Sequence, residues 1–589
     1  MNYFKLNLKV PPPAVLFVIF SLLLIIFSLT KSLSMSSSPQ LLTDPFLQLP
    51  TATTVRVVWF TEFAGSSHTV SYGENLILTA VANTIKLSRT REDQKSKVGK
   101  QIQEAEIYRK PTNRDIWRHE AEVSGLIPGK RIPYRVTSVR EDGETISSDI
   151  FTLTASPPSE IPLKILLTSD HQLMPMTAAN LQKVTEKIGK LDGVFFAGDL
   201  VNIPDRASEW FDDERGNAFF PCLQGRANYK LNKNGNETVY TGGKIIQNAP
   251  IFTTIGNHEV MGRFSQDVEL REQFYSAFPV AAAEQLNPNK ELELRQKWLK
   301  DNTFNTDTYE EIFTLPQSSE GGEKYYAVTF GDVRLVVAYI SNIWRTPSLD
   351  PKAKGKYRES EADFNNPIEW GYGQIIFEPI KKGSTQYNWL EKELNSPEFK
   401  TAKYKVVMFH HPPHTLGENI VPAYTDPVQI IERNSDGTIK SIRYEYPKDQ
   451  DYIIRDVIPL LETAGVQLVF YGHSHLWNRF ISPSGMHFLE TSNVGNSYGA
   501  FIGNKQRNNI PIGYQEDYIA TGDPNGLEPV IPNIKPLIDE DGKPMPYIAS
   551  NDMTVFSIFD TGTGTVSSYR FDTREPAGEV VKFDEFELK

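Results

Sequence analysis

The stretch LKILLTSDHQ, residues 163–172, begins as an apolar run and ends in a carboxylate, an imidazole and an amide. A short apolar run of this kind is typical of a strand buried on both faces of an α/β sheet. Side chains alternate along a strand, so extended backbone would point Asp170 and Gln172 to one side and His171 to the other. The stretch therefore predicts a buried strand that delivers Asp170 and Gln172 to one site, with His171 facing away.

Four further apolar runs end in polar residues of the same type. Their endings are Gly-Asp (198–199), Gly-Asn-His-Glu (256–259), His-His-Pro (410–412) and Gly-His-Ser-His (472–475). Seven of the ten histidines lie in or beside the five endings. Open α/β sheets build their sites at the carboxyl ends of strands, and histidines scattered through a core would not collect there. The pattern therefore predicts one site at which these ends meet.

The side chains at these ends combine oxygen donors with imidazole, a donor set that suits Mn, Fe or Zn. Cys222 is the only cysteine, which excludes a thiolate cluster and an intrachain disulfide. Two aspartates, an asparagine and three histidines suffice for two metals about 3.5–4 Å apart that share one carboxylate. Such a pair can hold the attacking and leaving oxygens of a displacement at phosphorus and lower the pKa of a bound water to about 7.

Residues 39–156 carry a different pattern, in which polar and apolar residues alternate over short runs. The runs are TVRVVWFTE (54–62), SHTVSYG (67–73), RIPYRVTSV (131–139) and DIFTLTA (149–155). Alternation of this period between Gly- and Pro-containing turns is typical of an all-β sandwich. The Pro- and Ser-rich segment ASPPSEI (155–161) predicts a boundary, after which the α/β region runs over residues 160–589.

The α/β region is predicted to contain helices between its strands and a hairpin at its C-terminal end. The predicted helices are TAANLQKVTEKIGKL (177–191) and TQYNWLEKELN (385–395), and the predicted hairpin covers residues 552–572. Polar insertions near 203–247 and 264–322 are expected to be surface excursions. EWFDDER (209–215), within the first insertion, is expected to be a solvated helix face.

The first 34 residues predict export, to the periplasm, to the medium or to an outward-facing membrane anchor. Lys5 and Lys9 precede an apolar run at residues 14–29, which as a helix would span about 24 Å of the roughly 30 Å bilayer core. A cleaved signal peptide and an uncleaved signal anchor both stay open. The net charge of −12 argues against binding to nucleic acid or anionic lipid, so membrane contact is expected only through that anchor.

The ordered series of the five endings resembles the motif series of the calcineurin-like metallophosphoesterases. In this chain it reads Asp170, Gly198-Asp199, Gly256-Asn257-His258-Glu259, His410-x-Pro412 and Gly472-His473-x-His475. DPFLQLPTATTVRVVWFTE (44–62) and HEAEVSGLIPGKRIPYRV (119–136) resemble the fibronectin III-like N-terminal domain of purple acid phosphatases. The resemblance implies an α/β metallophosphoesterase sandwich with αββα layers, preceded by an all-β fibronectin III-like domain.

The resemblance also implies a role for each motif residue. The first metal would be held by Asp170, Asp199 and His475, and the second by Asp199, Asn257, His410 and His473. His258 would stay unligated and act as the general acid, with Glu259 as a neighbour that orients it. Gln172 joins the first metal site because other branches of the family carry a histidine ligand at that position.

Several positions depart from the family pattern. Asn202 stands where purple acid phosphatases carry a tyrosine, so no purple charge-transfer colour is expected and the metals are left as Fe, Mn or Zn. Gln172, His171 and Asn202 all stay open as the residue that completes the first metal shell. His414 is a candidate substrate-facing group, and Arg479 is expected either to bind phosphate or to form a surface salt bridge.

Together these features predict an exported, acid-phosphatase-like hydrolase with two divalent or trivalent metal ions. A metal-bound hydroxide would attack the phosphorus of a small phosphomonoester, and His258 would protonate the leaving group. One alternative is a phosphodiesterase or nucleotidase built on the same metals. Another is a cell-surface binding protein whose hydrolase region is vestigial. The sequence makes no prediction of the oligomeric state.

Overall fold

The structure, a computed structural model, describes residues 41–98, 108–345, 355–418, 420, 422–507 and 520–589. The predicted signal peptide or signal anchor at residues 1–34 lies outside these ranges. Within the described ranges, no helix is both long enough and apolar enough to span a bilayer.

The N-terminal part of the described chain is built from strands. They are β1 (Phe46–Gln48), β2 (Val55–Thr61), β3 (Ser67–Tyr72), β4 (Leu78–Val81), β5 (Asn83–Lys86), β6 (Arg91–Glu92), β7 (Thr112–Asn113), β8 (Trp117–Val123), β9 (Ile132–Val139), β10 (Thr145–Ser147) and β11 (Phe151–Leu153). One antiparallel sheet has the order β1-β2-β8-β5, and the other has the order β10-β9-β3-β4, with β11 also paired to β9. The predicted all-β sandwich is confirmed, and each of the four runs predicted as strands contains a strand.

The two sheets of the sandwich enclose a core because apolar side chains alternate with polar ones along their strands. Trp59 of β2 and Tyr134 of β9 are the largest side chains buried there. The indole N–H of Trp59 donates to Ser138 Oγ of the other sheet at 2.9 Å, which satisfies the one polar atom of a buried tryptophan.

Two larger sheets form the α/β region. Its strands are β12 (Lys164–Thr168), β13 (Gly193–Phe196), β14 (Tyr229–Lys233), β15 (Asn236–Tyr240), β16 (Ile251–Thr253), β17 (Tyr326–Phe330), β18 (Val333–Val337), β19 (Asn342–Trp344), β20 (Gln374–Ile376), β21 (Tyr404–Met408), β22 (Val428–Arg433), β23 (Ile439–Glu445), β24 (Leu468–Tyr471), β25 (Trp477–Ile481), β26 (His487–Thr491), β27 (Tyr547–Ile548), β28 (Met553–Asp560), β29 (Thr565–Asp572) and β30 (Val581–Glu587). The orders are β16-β13-β12-β28-β29-β30 and β17-β18-β21-β24-β26-β25-β27, and apolar residues of both sheets share one core. The predicted C-terminal hairpin is present as β28 and β29, with β28 antiparallel to β12.

Helices occur between the strands of the α/β region. They are α1 (Thr177–Ile188), α2 (Ala207–Phe211), α3 (Phe219–Leu223), α4 (Leu270–Phe274), α5 (Val280–Leu286), α6 (Leu292–Asn302), α7 (Asp307–Ile312), α8 (Thr385–Leu394), α9 (Pro397–Thr401) and α10 (Ile458–Ala464). Both predicted helices are present, as α1 and α8. Ser384 caps α8 by accepting a hydrogen bond from the Tyr387 N–H at 3.3 Å, which satisfies one free donor of the first turn.

The insertion at 203–247 is not the surface excursion that its polarity predicts. It supplies Trp210, Phe219 and Phe220 to the hydrophobic core. The ring of Phe220 packs against Phe46 of the sandwich with centroids 5.0 Å apart, so this insertion joins the sandwich to the α/β region.

EWFDDER (209–215) is likewise not a solvated helix face. Glu209 is only 2% exposed, and its carboxylate pairs with the Arg206 guanidinium at 2.8 Å. Carboxylates are rarely buried unless they are paired, and the partner here lies three residues earlier, on the same short segment.

Parallel pairing places the predicted site residues at one edge of each sheet. β12, β13 and β16 run parallel in the first sheet, and β21 and β24 run parallel in the second. The His410 ring, which follows β21, donates from Nδ1 to the carbonyl of Ala197, which follows β13, at 2.7 Å. The loops at the carboxyl ends of the two sheets therefore meet.

Candidate metal centre

Two groups of potential ligand atoms lie where these loops meet. Asp170, Asp199 and His475 form one group, and Asp199, His410 and His473 form the other. Within each group the atoms lie within 4.8 Å of one another, and all five side chains are buried or nearly so. Asp199 belongs to both groups, so the two share one carboxylate.

Left-handed backbone turns carry most of these side chains. The φ angles are +57° at Asp170, +38° at Gln172, +58° at Asp199, +82° at His473 and +55° at His475. This region is unfavourable for residues other than glycine, and it persists where the surrounding structure fixes a functional group. The site is therefore built on strained turns that follow the strands.

Strand alternation does not explain how Asp170 and Gln172 reach the site. β12 ends two residues before Asp170, so the extended backbone assumed in the prediction does not extend to Gln172. Gln172 nevertheless reaches the site, where its Nε2 donates to Asp199 Oδ2 at 3.0 Å. His171 faces the core, with its ring 4.4 Å from that of Phe196, and burial lowers the pKa of His171 to about 3. His171 is therefore a neutral core residue.

Two glycines allow the backbone to approach the carboxylates closely. A Cβ on Gly256 would lie 2.2 Å from Asp199 Oδ1, and a Cβ on Gly472 would lie 2.2 Å from Asp170 Oδ2. A side chain at either position would displace a carboxylate of the site. The glycines of the third and fifth motifs are thus required by space.

Hydrogen bonds to carbonyl groups fix the tautomers of two histidines. Nδ1 of His410 donates to Ala197, and Nδ1 of His475 donates to the Asn496 carbonyl at 2.8 Å. A carbonyl oxygen only accepts, so in the neutral rings the Nε2 lone pairs are left for the site. Nε2 of His475 lies 3.3 Å from Asp170 Oδ1.

At His410, too, atoms that carry lone pairs face one another. Its Nε2 lies 3.2 Å from Asp199 Oδ2, and 3.1 Å from both His473 Nδ1 and Asn257 Oδ1. Lone pairs gathered at such distances repel one another unless a proton or a cation lies among them. The imidazole and oxygen donors therefore fit a metal ion at each of the two groups.

Gln172 offers a further oxygen beside the first group. Its Oε1 is buried and has no hydrogen-bond partner among the residues that the structure describes. A buried acceptor without a partner is costly, and a cation beside Asp199 would satisfy it. This orphaned oxygen is a second observation that fits a metal in the group containing Asp170.

The electrostatics of the site favour an ionised Asp199. Burial opposes its ionisation, but His410 and His258 outweigh burial and hold the pKa of Asp199 well below its usual value. Burial also opposes charge on His410, yet the facing Asp199 carboxylate raises the pKa of His410 to about 10. Metal ligands must be deprotonated, so a bound cation would take the place of that proton.

Glu259 holds the backbone of the site, and its expected role of orienting the neighbouring imidazole is wrong. Its carboxylate accepts hydrogen bonds from the N–H groups of Asp199, Leu200 and Gly256 at 2.7–2.8 Å. These bonds tie the loop after β13 to the loop after β16. Burial and the nearby Asp199 carboxylate raise the pKa of Glu259 to about 8.

The His258 ring is held by two other residues. Its Nδ1 donates to the backbone carbonyl of Asn202 at 2.7 Å. The ring of Phe274 stacks on it with centroids 5.0 Å apart and an interplanar angle of 26°. The Asn202 side chain does not hold the His258 ring, since its Nδ2 donates to the backbone carbonyl of Gln172 at 2.6 Å.

A cleft of about 460 Å³ opens over the site. His258 and members of both ligand groups line it, and the rest of its wall is largely aromatic: Phe274, Tyr275, Trp344 and Tyr498. The ring of Tyr498 stacks on His475 with centroids 5.2 Å apart. The cleft has the size of a small-molecule site.

The sequence patterns do not reveal the aromatic wall. Phe274 and Tyr275 belong to the insertion at 264–322, which was expected to be a surface excursion. Apolar residues at the end of a short helix carry no mark that distinguishes a cleft wall from a core, so only the tertiary fold assigns them.

Glu490 is another residue that the sequence does not reveal. This buried carboxylate on β26 accepts from the Ser474 N–H at 2.7 Å and from Thr415 Oγ1 at 2.9 Å. It thereby fixes the loop that carries His473 and His475. Burial raises the pKa of Glu490 to about 8.

Two candidate phosphate-facing residues are structural. His414 is 5% exposed and its Nδ1 lies 2.7 Å from Asp523 Oδ2, so the expected exposure to substrate is wrong. Arg479 forms a buried, bidentate ion pair with Asp584, with its Nε 2.8 Å from one carboxylate oxygen and its Nη2 3.1 Å from the other. Neither of its expected roles holds, because this ion pair is neither a phosphate contact nor at the surface.

The model of the calcineurin-like phosphoesterase family matches residues 163–476, a span that contains all five motifs. The chain therefore belongs to the calcineurin-like phosphoesterases. It is a phosphoesterase, and its family implies divalent metal ions. No curated protein matches the chain.

Two solved structures are similar to most of this chain. A purple acid phosphatase from yellow lupin (Lupinus luteus) seeds is similar with a TM-score of 0.51 and 14% identity, covering 92% of this chain and 74% of that chain. GAP50, the anchor in the inner membrane complex of Plasmodium, is similar with a TM-score of 0.30 and 10% identity, covering 73% and 91%. The first similarity shows a shared architecture, and the second is too low to support an argument.

Proposed function

We propose that this protein is an exported phosphomonoesterase with two metal ions, acid-phosphatase-like in its chemistry. The observation that carries the proposal is the pair of acceptor groups that share the Asp199 carboxylate beside His258. Family membership supports hydrolysis of a phosphoric ester, and the size of the cleft supports a small substrate. The export part of the proposal rests on the charged and apolar pattern of residues 1–34.

Each metal has its own proposed ligands. Asp170, Gln172, Asp199 and His475 would hold the first metal, and Asp199, Asn257, His410 and His473 would hold the second. When bound, two such metals supply a hydroxide near neutral pH and neutralise charge on the phosphoryl oxygens. Asn202 stands at the tyrosine position and its Nδ2 donates to the backbone carbonyl of Gln172, which supports a centre that has no tyrosinate from this position and no purple colour. The proposed metals are Fe, Mn or Zn, the ions that suit this donor set.

His258 is the proposed general acid. Because its Nδ1–H is held by the Asn202 carbonyl, a protonated ring carries its second proton on Nε2. Transfer of that proton to the leaving oxygen, as the P–O bond breaks, avoids release of an alkoxide. A positioned acid of this type contributes about 10²–10⁴ in rate.

Asp199→Asn and His258→Ala test the two parts of the proposal. We expect Asp199→Asn to lose bound metal and at least about 10³-fold of kcat/KM on p-nitrophenyl phosphate, because both metals lose a shared anionic ligand. We expect His258→Ala to retain metal and to lose most activity on esters with poor leaving groups. Asp541→Asn, the same change at an exposed carboxylate, is the matched control.

The substrate panel should include phenyl phosphate and bis(p-nitrophenyl) phosphate. A clear preference for the diester would replace the monoesterase by a phosphodiesterase on the same metals. If Asp199→Asn hydrolysed every ester as fast as the wild type, the assignment of the reaction to this site would be wrong. If the wild-type protein were free of metal and stayed inactive after reconstitution with each metal, a vestigial hydrolase would be favoured.

A further inference from the structure

The connection between β5 and β8 of the sandwich contacts the segment after β13 and the start of α4. We call its described parts, residues 87–98 and 108–114, the arm. The arm carries β6 and β7, and its Asp93 is fully buried. A buried carboxylate needs several donors. Arg206 and Leu270 of the α/β region donate to Asp93, as do Lys95 and Ser96 of the arm itself.

The ion pair between the Asp93 carboxylate and the Arg206 guanidinium starts a path to the His258 ring. Both Asp93 oxygens lie 3.1 Å from Arg206 Nη2, and Arg206 Nη1 donates to Glu209 Oε1 at 2.8 Å. Oε2 of Glu209 then accepts the N–H groups of Asn202 and Ile203 at 2.7 and 2.9 Å. These bonds fix the peptide group whose carbonyl, that of Asn202, accepts the hydrogen bond from His258 Nδ1–H.

A second path from Asp93 reaches the face of the same ring. Asp93 Oδ2 accepts the N–H of Leu270 at 2.8 Å, the first residue of α4. That N–H has no partner within the helix, so the carboxylate from the arm caps α4 from outside. The last residue of α4 is Phe274, whose ring stacks on His258.

We propose that Asp93 is a positioning residue through which the N-terminal sandwich sets the orientation of His258. It fixes the edge of the imidazole through Arg206, Glu209 and Asn202, and the face of the imidazole through α4. The inference rests on the proposed function, because it assigns a catalytic consequence only if His258 is the general acid. It gives the sandwich a role in the reaction without any contact to substrate.

Asp93→Asn is the direct test, in the full-length protein. The amide keeps the size of the side chain, but it loses the charge that pairs with Arg206. Its NH₂ group would face either the Leu270 N–H or the Lys95 N–H, each of which now donates to a carboxylate oxygen. We expect kcat on phenyl phosphate to fall about 10- to 100-fold, with KM within about twofold and with metal content unchanged. The loss on p-nitrophenyl phosphate should be smaller, because its leaving group needs less protonation.

Glu92→Gln is the matched control, because Glu92 is the adjacent buried carboxylate of the arm. It accepts from Ser208 and Arg114 and is outside both paths to His258. We expect a lower Tm but an unchanged ratio of activities on the two esters. If Asp93→Asn does not yield folded protein, Arg206→Lys takes its place, since a single ammonium replaces the fork that bridges Asp93 and Glu209.

A double-mutant cycle decides whether the effect passes through His258. We expect Asp93→Asn to reduce kcat in the wild type and to have almost no further effect in His258→Ala. Equal losses in both backgrounds, or loss of metal from Asp93→Asn, would overturn the inference.

A signal independent of activity separates this inference from the proposed function. In protein labelled with ¹⁵N-histidine, the hydrogen-bonded Nδ1–H of His258 should be weakened or lost in Asp93→Asn and kept in Glu92→Gln. Retention in both variants would overturn the positioning role. Loss in Asp93→Asn, combined with full activity of His258→Ala, would uphold the positioning role and refute the proposed general acid.

Discussion

Asp199 is held from several sides and is a member of both ligand groups. The His258 N–H donates to its Oδ1 at 2.9 Å, Gln172 Nε2 donates to its Oδ2, and its own N–H donates to Glu259. A carboxylate fixed in this way cannot turn to follow one metal at the expense of the other. Because Asp199 is held rigidly between the two ligand groups, we expect two bound ions.

Gln172 and His171 give opposite predictions although they are neighbours. Gln172→Ala removes a buried oxygen and a hydrogen bond to Asp199, so the protein should retain closer to one metal per chain than two after dialysis. His171→Ala leaves a cavity beside Phe196, so Tm should fall while metal content is unchanged. Metal analysis and calorimetry of both variants check this order, which the reverse pattern would contradict.

At the scale of elements, the strands were the predictable part of the site and the turns were not. Apolar runs ending in Asp170, Asp199 or His410 mark strand ends, because buried strands and polar loop residues differ in hydropathy. The φ values after β12 and the Asn202 carbonyl that holds His258 depend on tertiary contacts that no local pattern encodes. Gln172 thus contacts Asp199 through a turn, not through the extended backbone that the prediction assumed, and its role as a metal ligand stays a prediction.

Burial of charge was the other property that the sequence patterns missed. Glu209 is predicted at the surface because acidic residues usually lie there. Its ion pair with Arg206 is apparent only in the folded structure, where the insertion packs against the arm. Trp210 within this segment and Phe220 after it are the signal that the sequence offers, because aromatic residues in a polar stretch indicate an anchored segment.

The core of the sandwich contains a histidine that makes stability depend on pH. His119 is fully buried, lies between the hydroxyls of Thr61 and Thr84, and stacks on His68. Burial, followed by the charges of His68 and Arg118, lowers the pKa of His119 to about 3. Its folded pKa is below its unfolded value, so its stabilising contribution is complete above about pH 6.5 and declines as pH falls towards 3.

We therefore expect Tm to fall between pH 6.5 and 4.5, with up to about 1.4 kcal/mol per pH unit arising from His119. In His119→Gln the fall should be shallower. Calorimetry at pH 8, where the imidazole is neutral in both states, gives the intrinsic effect of the substitution as a reference. Parallel Tm–pH curves for the two proteins would show that His119 is not responsible.

At the scale of the whole molecule, metal ions would join the two sheets of the α/β region. Asp170 and Asp199 follow strands of the first sheet, whereas His410, His473 and His475 follow strands of the second. Removal of the metals leaves carboxylates and imidazole lone pairs facing one another across the sheet boundary, so the loss affects stability as well as activity.

Chelation should therefore abolish hydrolysis and lower Tm by several degrees, since ligand at about 100 times Kd contributes about 2.7 kcal/mol per site. Addition of Mn²⁺ or Zn²⁺ should restore both properties together. Asp199→Asn supplies the control, because its Tm should change little on chelation. Full activity in the chelated wild type would contradict a metal-dependent reaction.

Anomalous diffraction from crystals of the active protein, collected at the absorption edges of Fe, Mn and Zn, would locate and identify the metals at this site. Two peaks are predicted, one contacting Asp170 and His475 and one contacting His410 and His473, with the Asp199 carboxylate between them. A single peak, or peaks away from these side chains in crystals that hydrolyse p-nitrophenyl phosphate, would contradict a two-metal centre that shares Asp199.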